Sequence, residues 1–156
     1  MQTTPARAAE PPTVKAYDLV RIWRCYGMRG VRKRYEQLKP FADLITLMGS
    51  DVILLPERWY RSLAITMALI TLQAQWEDVC AEDGQGWVAA RLWTRDLPDL
   101  RQMCKGSGAD SPPAVARKDF RMPSSLAEYL DSYEFSDVCR GLASIARDQE
   151  RAEEAA

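Results

Sequence analysis

The longest uncharged stretch of the chain runs from Ser62 to Trp76, and it limits the fold more than any other feature. Thr66, Thr71, Gln73 and Gln75 interrupt it, and it falls short of the roughly 20 apolar residues needed to cross a bilayer. It is therefore read as a helix of a folded core, with no membrane as partner. Trp59, Leu63, Met67 and Ile70 repeat at helical spacing along one stripe, while Ile65, Leu69 and Leu72 occupy others. A helix apolar nearly all round belongs at the centre of a bundle, so Leu63, Met67 and Ile70 are expected to be buried. Pro56 tolerates the missing N–H of a first turn and Glu57 suits the positive end of the helix dipole, which places the helix start near Pro56. Ala64 and Ala68, four apart, leave room for a neighbouring backbone to approach.

The other segments share this period rather than the alternation of strands. From Val14 to Met28, Leu19, Ile22, Trp23 and Tyr26 gather on one side, with Arg21 and Arg24 on the other. After Gly27 and Gly30, Val31, Tyr35 and Leu38 continue the pattern. Pro40 then either kinks this helix or begins the next, which carries Phe41, Leu44, Ile45, Leu47 and Met48 and ends at Gly49-Ser50-Asp51. Val52 to Leu55 has no partner strand and reads as a helix-entry segment. Trp87 to Trp93 forms a short helix, and Asp96 before Pro98 reads as the N-cap of a turn or two reaching Lys105. Gly106 to Pro123 has the Pro, Gly and Ser content of a loop. Beyond it, Ser125 and Glu128 fit a capping box, and Ser136 opens a second helix aligning Val138, Leu142 and Ile145. Arg147 to Ala156 is expected to fray.

With 156 residues and 47% hydrophobic content, the chain can bury one core and not two comfortable ones. The expected fold is an all-α small helical bundle of about five to seven helices. Residues 1–12 are read as a disordered N-terminal tail, 13–105 as the main bundle, 106–123 as a loop or linker, and 124–156 as a C-terminal helical segment packing on the bundle. No signal peptide opens the chain, so a cytoplasmic protein is expected.

There is no histidine. The usual general base near neutral pH, the usual activator of Ser or Cys, and the commonest metal ligand are all missing. Helical-bundle metal sites built on Glu-x-x-His cannot form. Cys25, Cys80, Cys104 and Cys139 are too widely spaced for a zinc or dithiol motif and read as reduced core thiols. The carboxylate pairs Glu77-Asp78, Glu82-Asp83 and Glu153-Glu154 read as solvated helix ends, and Gly84-Gln85-Gly86 and Gly106-Ser107-Gly108 as turns, since no phosphate-loop Lys follows them. No catalytic residue, metal or cofactor is expected. An enzyme using Cys or carboxylates remains a third class that the missing histidine does not forbid.

Lys and Arg total 21 against 22 Asp and Glu, giving a net charge of −1 and no general attraction to polyanions. The distribution is uneven. Lys15, Arg21, Arg24, Arg29, Arg32, Lys33, Arg34 and Lys39 stand early against only Asp18 and Glu36, while carboxylates dominate from Glu128 to Glu154. Basic side chains interleaved with Trp23, Tyr26 and Tyr35 suit phosphate pairing and base stacking. This marks Arg21, Arg24, Arg29, Arg32, Lys33, Arg34 and Lys39 as candidate nucleic-acid contacts. The bland alternative is a solvated face, paired with the acidic segment of the same chain. Trp59 and Trp76 are read as core, and Trp87, Arg91 and Trp93 as a candidate partner surface.

Two function classes follow. The first is a non-catalytic helical subunit or adaptor of a larger assembly, its basic early helices along a nucleic acid. In size and all-helical build, with Arg24, Arg29, Arg32, Lys33 and Arg34 on early helices, the chain resembles the small helical subunits of multi-subunit CRISPR effector complexes. That resemblance involves no signature motif; it implies nucleic-acid backbone contact without catalysis. The second class is a helical DNA-binding regulator with residues 31–39 as reader, for which only Gln37 offers a bidentate amide, or a purely protein-binding adaptor. The expected partners are other protein subunits and nucleic acid, with a homo-oligomer left open.

Overall fold

The computed structural model describes residues 18–48, 55–81, 86 and 91–156. The expected tail at 1–12, the helix stop at Gly49-Ser50-Asp51 and Val52 to Leu54 lie outside the described residues. Among the described residues there are five α-helices and no strand, so the fold is all-α.

Helix α1 (Leu19–Met48) is broken at Gly27, where φ 65 and ψ −156 define a conformation essentially closed to residues with a Cβ. The break turns the first limb back toward the second: a Cβ on Gly30 would stand 2.3 Å from the Tyr26 Cβ and 3.2 Å from Ile22. Gly27 permits the turn and Gly30 permits the close approach. The second limb passes Pro40 without ending. Pro40 and Glu36 are both exposed, and the Glu36 carbonyl has no Pro40 N–H to accept from.

Helix α2 (Leu63–Cys80) starts later than Pro56. Ser62 caps it, its Oγ accepting from the Ile65 N–H at 3.3 Å. The preceding residues instead form a short 3-10 turn, Trp59–Arg61, whose Trp59 and Tyr60 are buried. The Asp110 carboxylate accepts from the Glu57 and Arg58 N–H groups at 3.2 and 2.9 Å, and the extended backbone of Ser62 (φ −97, ψ 112) separates this entry from the helix. The helix buries Ile65, Thr66, Leu69, Ile70 and Leu72. Leu63 and Met67, expected inside, are 39% and 44% exposed. Among the described residues α2 packs against α1, the 3-10 turn and the segment from Leu92 to Cys104, and these neighbours leave the stripe through Leu63 and Met67 partly uncovered.

A wide π-helical turn, Leu92–Asp96, runs directly into α3 (Leu97–Cys104). Asp96 is itself helical and makes no cap hydrogen bond, so the expected N-cap is an internal residue. Helix α4 (Leu126–Leu130) carries the expected box with a shift of one: Ser125 Oγ accepts from the Glu128 N–H at 3.2 Å, and the Glu128 carboxylate accepts from the Ser124 N–H at 2.7 Å. Helix α5 (Tyr133–Glu154) is capped by Ser132 rather than Ser136. It stays helical through the segment expected to fray.

Helices α1 and α5 pack along each other around an aromatic centre. Tyr35 meets Phe135 edge-on at 5.4 Å, and Tyr129 lies 5.1 Å from Tyr60. Such pairs add to area burial. Burial pushes the Tyr35 hydroxyl up to about 12 and the Cys139 thiol up to about 11. Of the four cysteines, only Cys139 is core filling; Cys25 and Cys80 are exposed and Cys104 is half-buried.

Candidate functional site

The basic residues of α1 separate into three groups. Arg21, Arg29 and Lys33 are exposed and have no hydrogen bond or ion pair among the described residues. Arg24, Arg32 and Lys39 are exposed or half-buried and already paired. The Arg24 guanidinium closes as a fork on Glu153, both N···O distances 2.9 Å, with Glu150 at 3.8 Å. Arg32 donates to Asp131 at 2.8 Å and to the Leu130 carbonyl at 3.2 Å, and Lys39 pairs with Asp43 at 2.9 Å. The Glu153 hydrogen bond holds the Arg24 guanidinium above its ordinary range, and Arg24 in turn holds the Glu153 carboxyl low.

Arg34 forms the third group alone. It is 2% exposed, and its Nη1 donates to Gln73 Oε1 at 2.6 Å, while Gln73 Nε2 donates to the Gln37 carbonyl at 3.2 Å. Desolvation lowers its proton affinity, and Glu77 opposes that. Arg34 is thus an internal brace between α1 and α2, where phosphate cannot reach it while the helices stay packed. The candidate nucleic-acid residues are therefore not one face. The acidic C-terminal half, not solvent alone, meets Arg24 and Arg32.

Trp87 lies outside the described residues. Trp93 has its backbone in the π-helical turn, and Arg91 just before it is exposed. The Arg91 and Arg95 guanidinium groups lie 4.0 and 3.9 Å from the Asp96 carboxylate.

A groove of about 200 Å³ lies between α2 and α3. Ala68, Leu72, Leu100 and Met103 line its apolar part, and Gln75, Asp96 and Asp99 its polar part. Gln75 Oε1 and Asp96 Oδ2 are buried without a hydrogen-bond partner among the described residues. Its volume is below the roughly 300–1,000 Å³ of ordinary small-molecule sites, so it suits a side chain better than a cofactor. Met103 on α3 is 41% exposed, as Leu63 and Met67 on α2 are 39% and 44% exposed. The sequence reading missed this exposure. Its signal is the combination of an uncharged helix with a Ser62 cap, which starts α2 late.

Among the described residues no group of three His, Cys, Asp or Glu side chains could hold a metal ion, and no helix is long and apolar enough to cross a membrane. No family model, no curated protein and no solved structure matches the chain.

Proposed function

We propose that the chain is a non-catalytic helical subunit of a larger assembly, docking a protein neighbour on the outward face of α2 and α3 and offering α1 cations to a nucleic-acid backbone. The observation that carries this reading is the exposure of Leu63 and Met67 on a helix without charge from Ser62 to Trp76. Exposed apolar patches of this kind mark contact surfaces, and Met suits a surface that adapts to its partner. The lack of any histidine favours contact over chemistry.

Nucleic-acid contact is supported by Arg21, Arg29 and Lys33, which are exposed and have no ion-pair partner among the described residues. Sequence-specific duplex reading has less support, because the Gln37 Oε1 is buried and offers no amide fork to a base edge. The test is the assembled mass of the tagged chain isolated from its own cells, wild type against Leu63→Asp/Met67→Asp. Loss of the larger species with an unchanged helical spectrum supports docking on this face. An undiminished assembly overturns it.

A further inference from the structure

We propose that the acidic end of α5 is an intramolecular screen over the basic face of α1, which a nucleic-acid backbone displaces; this rests on the nucleic-acid part of the proposed function. Glu150 and Glu153, three residues apart on α5, share one helix face and converge on Arg24. The fork on Glu153 presents two parallel N–H···O contacts, the geometry that guanidinium also offers a phosphate. Asp131, in the short link before α5, holds Arg32 through a single N–H···O contact of 2.8 Å. Carboxylates thus stand where phosphates would stand.

The screen is built to release. Arg24, Glu150 and Glu153 side chains are 30%, 54% and 62% exposed, and Arg32 and Asp131 37% and 71%. Ion pairs this exposed hold little free energy, whereas neutralising a phosphate frees condensed counterions. Arg34, sealed inside, takes no part. The exposed Arg21, Arg29 and Lys33 supply first contact, and Arg24 and Arg32 join once the carboxylates are displaced. The bound state is therefore more basic than the free surface.

The experiment compares the full-length wild type with Glu150→Gln/Glu153→Gln and with Asp148→Asn/Glu154→Gln. The last variant removes the same charge from the same helix end, but from carboxylates without a cation partner among the described residues. Binding to a labelled oligo-uridylate and to a labelled DNA duplex is measured over a salt series, with a thermal melt to confirm folding. Relative to the charge-matched control, Glu150→Gln/Glu153→Gln is expected to bind several-fold more tightly at low salt, because Arg24 no longer has to leave a partner. The gain shrinks as salt rises, since salt weakens exposed pairs. Equal affinities for the two variants at every salt concentration, with binding intact, overturn the screen and leave only net charge. No binding by any form, on either probe, overturns the nucleic-acid reading as well.

Discussion

Arg61 Nε donates to Glu134 Oε1 at 3.0 Å, and this pair ties the turn before α2 to α5 while the Arg61 side chain is only 5% exposed. Its Nη1 also donates to the Ala109 and Ser111 carbonyls at 2.6 and 2.7 Å, and its guanidinium sits 5.5 Å from the Phe120 ring centre. Arg58 adds a hydrogen bond from Nε to the Pro123 carbonyl at 2.7 Å. A stretch that reads as linker is thereby wrapped around two arginines of the α2 entry.

Arg61→Ala is expected to destabilise the fold by about 3–5 kcal/mol, because it strands Glu134 and two carbonyls. Arg61→Lys should recover little, since a point ammonium cannot replace a fork with several directed donors. Denaturant unfolding of both variants checks this; a loss below about 1 kcal/mol for Arg61→Ala would show the segment to be held by other contacts.

The α2 helix separates two residues that the sequence places on one stripe. Ile70 is fully buried and Met67 is 44% exposed. Ile70→Ala should therefore cost about 2–5 kcal/mol through the cavity it leaves, and Met67→Ala about 0.5 kcal/mol, the surface range. Equal losses in thermal or denaturant unfolding would place α2 inside the core on all sides.

That difference shows what was legible. Helical period and the capping box at Ser125 and Glu128 could both be read, because each is set within a few residues. Burial of Leu63 and Met67 could not, because it depends on how many helices surround α2. Likewise the fate of each arginine depends on long-range pairing. Arg34 and Lys33 are adjacent, yet one braces α2 and the other meets solvent. Composition marks both alike, and the Gln73 that distinguishes them is on another helix.

Alkaline pH should weaken the fold in a defined window. Burial raises Cys139 from 9.0 to about 11 and Tyr35 from 10.0 to about 12. Both groups hold their proton more tightly when folded, so their contribution is fully present below their ordinary values and is lost as pH rises toward the folded ones. Stability should decline from about pH 9 upward, and Cys139→Ala should delay the onset of the decline. A thiol reagent at neutral pH should modify Cys25 and Cys80 quickly and Cys139 only on unfolding. Rapid modification of Cys139 in the folded protein would contradict its burial.

The three groups of α1 cations predict three different responses to neutralisation. Arg21→Gln/Arg29→Gln/Lys33→Gln removes charges without partners among the described residues, so the melting temperature should hardly move. If all three contact phosphate, the slope of log affinity against log salt should flatten by about 2–3 units, at roughly 0.7 per contact on single strands or 0.9 on duplex. Arg34→Gln should do the reverse: an unchanged salt slope with a clear shift in melting, since it alters a buried link to Gln73. Arg32→Gln falls between them, because its pair with Asp131 is exposed and contributes little to stability, while its release by phosphate still counts toward the slope. The discriminating measurement is salt-dependent affinity alongside thermal melting for each variant. Should the Arg21, Arg29 and Lys33 variant keep the wild-type slope, these three cations make no phosphate contact and the first-contact role given to them fails.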